Sequence, residues 1–233
     1  MTAPQLHVHH DLGEAAGLLV AEACADVLAG KPRCVLAVSG GSTPAPVFRW
    51  LAANLPDAIH DRLTVTFVDE RYVPSTGRID DLHEDTNGRL LVDHWAKHRR
   101  VGLLLWSQPG HIEQVRDRVA RSLDQLGGID VCLLGAGADG HTGSLFPGHP
   151  TSDHDDVVIV RRSPKPPPVR LSLTAGMLRS AHTSVLVAKG AAKADVLARA
   201  WQGDPSLPLS HVAPRRAYHW VLDPAAAKTI QEG

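Results

Sequence analysis

The chain has 233 residues, 43% hydrophobic and 21% charged, with a formal net charge of −1. That is ordinary globular composition with enough apolar material for a core. It carries no basic stripe or polybasic block, so neither nucleic acid nor an anionic membrane is expected as a partner, and any anion must be held by a local site.

Residues 1–10, with His7, His9 and His10, read as a fraying terminus or an edge strand. No basic region followed by an apolar one opens the chain. The next apolar stretch carries Glu14, Glu22 and Asp26, which a signal peptide would not tolerate. No uncharged run approaches the roughly 18 residues of a spanning helix. A helix is predicted over 12–28. Short, largely apolar runs at 34–38, 63–68, 101–105 and 129–134 have the pattern of strands buried on both faces, as in a parallel sheet. Before the last of these, Ile112, Val115, Val119, Leu123 and Leu126 mark one face of a helix, with Glu113, Arg116, Asp117 and Arg121 opposite.

Further strands are predicted at 157–160, 169–173, 184–188 and 218–222, with a stiff proline loop at 164–168 and a helix at 191–201. This alternation predicts an α/β fold: a doubly wound, mostly parallel sheet with helices on both faces. There is no internal repeat and no linker long enough to divide the chain, so one domain over 1–233 is expected. Cys24, Cys34 and Cys132 are odd in number and widely spaced. Cys34 and Cys132 lie inside apolar runs and read as small buried hydrophobes. Such usage suits a reducing cytoplasm, the expected location.

In such a sheet ligands bind beyond the carboxyl ends of the strands, and three informative loops fall there. The first is Ser39-Gly40-Gly41-Ser42-Thr43-Pro44. Its glycines let the backbone turn and approach a ligand. Ser42 or Thr43 can cap the following helix, with Pro44 in its first turn. A helix N-terminus with bare amides and a hydroxyl suits an anion, although a capped turn without a ligand reads equally well. The second is Val68-Asp69-Glu70-Arg71-Tyr72-Val73-Pro74. Its carboxylates and arginine suit a phosphate clamp or carbonyl polarisation, and taken alone they read as a surface ion pair.

The third loop, 135–148, is the richest. It places His141 among glycines, two residues after Asp139. Asp139 can hold one imidazole nitrogen and leave the other free as a base. Residues 135–140 also match G-x-G-x-x-G, but Pro147, Gly148 and Pro150 interrupt the helix a dinucleotide site needs. Asp153, Asp155 and Asp156 precede the next strand, whereas a ribose-binding acid should end it. His94 and His98 have metal-ligand spacing on a helix but no third ligand, so exposed histidines are expected there. No Gly-x-Ser-x-Gly elbow is present.

Five segments in order resemble the 6-phosphogluconolactonase family across nearly the whole chain. They are the Ser39–Pro44 loop; Phe67-Val-Asp-Glu-Arg71-Tyr-Val-Pro74; Gly137-Ala-Asp-Gly-His141-Thr-Gly-Ser-Leu-Phe-Pro-Gly148; Pro164-Lys-Pro-Pro-Pro-Val-Arg170-Leu-Ser-Leu-Thr174; and Lys189-Gly-Ala-Ala-Lys193-Ala. The resemblance implies an α/β fold, a phosphosugar lactone as substrate, water as nucleophile, and no cofactor or metal. On that reading Ser42, Thr43, Arg71, Arg170 and Lys193 converge on the substrate phosphate, joined by the Gly40 and Gly41 backbone. His141 takes a proton from water, Asp139 orients its ring, and either glycine-loop amides or Arg71 stabilise the oxyanion.

Departures are Thr86 before Asn87 where Ser-Asn is usual, a long stretch at 75–85, Gly143 for a common alanine, and Lys189 where a small or hydroxyl residue is usual. The alternatives are an aldose–ketose isomerase or deaminase acting on an amino-sugar phosphate, and a non-catalytic sugar-phosphate sensor. The deaminase family continues its histidine loop towards Asn-Glu-Pro, unlike Leu145-Phe146-Pro147-Gly148 here. A sensor would not need Asp139 and His141. A monomer is the expected state, with a dimer as the alternative.

Overall fold

A computed structural model describes residues 2–73, 75–99, 101–149 and 155–232. Pro74, Pro150 and Asp153, used in the reading above, lie outside them. The strands are β1 (Pro4–Val8), β2 (Cys34–Val38), β3 (Leu63–Phe67), β4 (Asp69–Arg71), β5 (Gly102–Leu103), β6 (Val131–Gly135), β7 (Val157–Val160), β8 (Arg170–Leu173), β9 (Thr183–Ala188) and β10 (Ala217–Leu222). The helices are α1 (Leu12–Gly30), α2 (Ala45–Asn54), α3 (Asp57–His60), α4 (Asn87–Leu91), α5 (Ile112–Gln125), α6 (Ala175–Ser180), α7 (Ala194–Trp201) and α8 (Pro224–Glu232).

Seven strands form a parallel sheet in the order β1-β10-β9-β6-β2-β3-β5. Every residue of β2, β3 and β9 is buried, because helices cover both faces of the sheet. α1 opens on Asp11, whose carboxylate accepts from the amides of Gly13 and Glu14, and it buries Leu12, Ala16, Val20, Ala23 and Val27. α5 buries Ile112, Val115, Val119 and Leu123, four of the five positions expected on its apolar face. All three cysteines are buried and unpaired. β1 is an edge strand on β10, and in it His7 Nε2 lies 3.1 Å from His219 Nδ1.

Two expectations change. The runs at 157–160 and 169–173 leave the main sheet and form a separate antiparallel one, in the order β4-β8-β7. A loop of nine residues, 161–169, joins β7 to β8. It is too short for the crossover a parallel pair needs, so the strands pair as a hairpin. Asp69-Glu70-Arg71 is accordingly a short strand and not a free loop. The apolar run at 101–105 is reduced to a two-residue strand at the sheet edge.

From β2 the chain winds through α2 to β3 and β5 on one side, whereas β6 leads to β9 and β10 on the other. The direction of winding therefore reverses between β2 and β6. This is the switch point at which loops diverge and leave a crevice beyond the strand ends. No helix among the described residues is long and apolar enough to cross a membrane.

Candidate active site

At the switch point lies a cavity of about 400 Å³, within the usual size range for a small-molecule site. Ser39, Gly40, Gly41, Ser42 and Thr43 after β2 line it, with Asp69 and Arg71 of β4, Asn87, the 135–138 turn with His141, and Lys165, Arg170 and Lys193. Every residue expected to touch substrate is therefore in one wall or another of this space. Asp139 stands just behind the wall, on His141.

The glycine loop is fixed from below. Ser39 is buried, and its hydroxyl accepts from the Gly135 amide at 3.2 Å, tying the end of β2 to that of β6. The Cα of Gly40 packs against Asn87 so closely that a Cβ there would sit 1.8 Å from Asn87 Oδ1. Contrary to the capping expectation, neither Ser42 nor Thr43 caps α2. Pro44 is the N-cap residue and makes no side-chain cap. The two hydroxyls are not used in helix capping and lie in the cavity wall.

Gly40→Ala should cost about 1–3 kcal/mol through overpacking. For a chain of this size each kcal/mol lowers Tm by about 2–4 °C. A thermal melt indistinguishable from wild type would show that the tight approach is absent in solution.

Arg71 is oriented by Asn87. Its Nη1 donates to Asn87 Oδ1 at 2.8 Å and to the Asp85 carbonyl at 2.7 Å, while its Nε is buried without an acceptor. Asn87 Nδ2 in turn donates to the Asp69 carbonyl at 2.7 Å. Glu70 does not reach the cavity. Its carboxylate accepts from the amides of Arg71, Asn87 and Gly88, each at 2.7 Å, and so pins the start of α4. Thr86 caps the same helix, its hydroxyl accepting from the Arg89 amide at 3.1 Å, so threonine performs the capping a serine would.

Arg170 is where the structure departs most from expectation. Its side chain is only 7% exposed. Nε donates to the Pro167 carbonyl, and Nη2 donates to the carbonyls of Lys165 and Pro166. Nη1 faces Ser144 Oγ at 3.5 Å and Asp69 Oδ2 at 3.7 Å. Most of its donors are thus consumed in clamping the proline loop from beneath.

In the histidine loop, His141 Nδ1 donates to Asp139 Oδ1 at 2.5 Å. The ring packs on Phe146 with centroids 4.9 Å apart, and Nε2 makes no bond to the described residues. The turn tolerates no side chain at Gly137, where a Cβ would lie 2.0 Å from His141 Nδ1. Burial lowers the His141 pKa below the ordinary 6.5, and the Asp139 carboxylate opposes this only in part. The imidazole is therefore neutral near pH 7. Burial acts to raise Asp139, but its hydrogen bond and attraction to His141 leave its pKa lowered, so it is the anion.

Lys193 ends a short 3₁₀ turn, Ala191–Lys193, and forms the N-cap of α7. Burial first, and the nearby Lys165 charge second, lower its pKa. No long helix follows the 135–140 glycines; the chain turns through an isolated Thr142–Leu145 bridge instead, which removes the dinucleotide geometry. His94 contacts Arg49, and His98 the Asp93 carbonyl. No group of three or more metal-type ligands occurs among the described residues. Lys189 is exposed and lines a neighbouring hollow, outside the main cavity.

Asn87 and Lys165 line the cavity, and the sequence assigned neither of them a role. Both sit inside recognisable motifs. Asn87 bridges two loops that meet only in three dimensions, and an exposed lysine ordinarily reads as solvated surface.

Fold and site together define an α/β protein with a cation-rich, ligand-sized cavity at the switch point of a parallel sheet, beside a histidine–carboxylate pair. The family model for glucosamine-6-phosphate isomerases/6-phosphogluconolactonase matches residues 8–220, and the chain belongs to that family. The 6-phosphogluconolactonase of Rattus norvegicus is 37% identical, over 94% of this chain and 90% of its own length. Among solved structures, 6-phosphogluconolactonase from Thermotoga maritima superposes with a TM-score of 0.80 at 22% identity, over 96% of this chain and all of its own. A monomeric glucosamine-6-phosphate deaminase superposes almost as well, with a TM-score of 0.78 at 21% identity over 98% of this chain and all of its own. The architecture is therefore common to both activities and does not choose between them.

Proposed function

We propose that this chain is a 6-phosphogluconolactonase, opening 6-phospho-D-glucono-1,5-lactone to 6-phospho-D-gluconate in the oxidative pentose phosphate pathway. The observation that carries the reading is His141, held by Asp139, sharing one cavity with Arg71, Lys193 and the Ser42–Thr43 loop. The high-coverage relative named for this activity supports it, as does a histidine loop that runs into Leu145-Phe146-Pro147-Gly148.

Ser42, Thr43, Arg71 and Lys193 take the phosphate, with the Gly40 and Gly41 backbone beside it; Arg170 braces the site from below. His141 Nε2 accepts a proton from water as the water oxygen bonds to the lactone carbonyl carbon. The resulting tetrahedral oxyanion collapses, the bond from that carbon to the ring oxygen breaks, and His141 returns the proton to the departing oxygen. No metal or cofactor takes part. On this reading the chain is a single domain acting in the cytoplasm as a monomer, with a dimer as the alternative.

Two assays separate the readings. The protein should accelerate lactone opening in the presence of chelator and release no ammonia from glucosamine 6-phosphate. Ammonia release without lactone opening would transfer the chain to the deaminases. Loss of activity in chelator, restored by zinc, would overturn the metal-free chemistry.

The pH profile follows from His141. A base works only when deprotonated, so activity is present above its pKa and lost as pH falls through it. Because burial lowers that pKa, the acid limb of kcat/KM should fall below pH 6.5. An acid limb above pH 6.5 would contradict the assignment.

A further inference from the structure

The site as described leaves open which group meets the negative charge that develops on the lactone carbonyl oxygen. Three amides of the histidine loop region are already committed: Gly135 donates to Ser39 Oγ, Gly137 to the His141 carbonyl, and Gly140 to the Gly137 carbonyl. Arg71 is tethered through Nη1 to Asp85 and Asn87. Lys165 has no such commitment. Its ammonium lies 3.4 Å from His141 Nδ1, which already donates its proton to Asp139, and it forms no ion pair within 4.0 Å among the described residues. Its charge is felt by Asp139, His141 and Lys193.

The backbone beneath Lys165 is built to hold it. Pro164, Pro166, Pro167 and Pro168 flank it and fix φ on both sides. Arg170 then binds the carbonyls of Lys165, Pro166 and Pro167 from below, at 3.0–3.2 Å. A buried guanidinium is a large investment for an ordinary surface loop. Here it anchors the one loop residue whose charged end reaches the cavity.

We propose that Lys165 is a further catalytic residue, its ammonium donating a hydrogen bond to the lactone carbonyl oxygen as that oxygen becomes anionic. The lysine gives up no proton. It stabilises charge, while His141 carries the proton from water to the ring oxygen. Arg170 is a positioning residue for this lysine. The inference rests on the lactonase reading above.

The test compares wild type with Lys165→Gln and Lys165→Arg on 6-phosphogluconolactone and on unphosphorylated glucono-1,5-lactone. Removing one oxyanion donor costs about 10²–10³-fold in kcat. Lys165→Gln should lose roughly that much, by a similar factor in kcat/KM on both lactones, and Lys165→Arg should recover part of it. A loss confined to the phosphorylated lactone would make Lys165 a phosphate ligand, and no loss on either would make it solvated surface; both overturn the proposal.

A second readout needs no turnover. The His141 imidazole, titrated by NMR in the free protein, should have a higher pKa in Lys165→Gln, because a neighbouring positive charge has been removed. An unchanged titration would place the ammonium away from His141 and overturn the proposal. If wild type opened no lactone, the functional reading would fail first, and the titration would still report whether the lysine stands at the histidine.

Discussion

His141→Asn is expected to lower kcat on 6-phosphogluconolactone by about 10²–10⁴-fold, the usual contribution of a general base, with little change in KM. The split follows from the geometry. His141 shares the cavity with the cations assigned to phosphate, but among the described residues its ring bonds Asp139 and lies near Lys165, so its loss leaves ground-state binding intact. Asparagine keeps a polar side chain of smaller size against Phe146, and the fold should remain, as circular dichroism will report. Asp139→Asn should have a smaller effect, because Asp139 orients the ring and moves no proton itself. A His141 variant with near-full kcat and an intact fold would mean that another group activates water.

The second large effect concerns the substrate's phosphate. A hydrogen bond to a charged group contributes about 1.5–3 kcal/mol, and three such elements share the cavity: the Ser42–Thr43 loop, Arg71 and Lys193. Since each 1.4 kcal/mol is tenfold, unphosphorylated gluconolactone should suffer roughly a 10³-fold or larger drop in kcat/KM, even with imperfect additivity. Lys193→Ala should weaken use of the phosphorylated substrate strongly and leave the unphosphorylated one nearly unchanged. Arg71→Ala should behave in the same way, because the Asp85 and Asn87 bonds to Nη1 hold the guanidinium fixed in the cavity wall, which suits a bound anion. Equal harm to both lactones would move Arg71 to the oxyanion. Equal turnover of both by wild type would refute the phosphate site altogether.

Much of this was legible in the residues. Strands buried on both faces are predominantly apolar, so β2 and β6 are visible as apolar runs, and β3 as one broken only by the buried Thr64 and Thr66, with their following loops as candidate sites. The Asp139–His141 pairing was also readable, because two residues and a glycine turn bring the side chains together locally. What could not be read depends on long-range geometry. The direction of β7 and β8 is set by the length of their connection, not by their composition. Arg170 looks like any cation near a phosphate until its carbonyl partners are seen. Asn87 gains its role only from the meeting of β4, α4 and the glycine loop, where Gly40 leaves no room for a side chain. Ser42 and Thr43 resemble helix caps in sequence because any hydroxyl before a helix does, and only the placement of Pro44 as the N-cap releases them.

The central claim is most directly tested by following proton release at constant pH as 6-phosphogluconolactone opens, with and without the purified protein. The expected result is a rate that rises above spontaneous hydrolysis in proportion to protein concentration and that falls to near the spontaneous rate with His141→Asn. A rate equal to spontaneous hydrolysis, at protein concentrations where circular dichroism shows the chain folded, would contradict it.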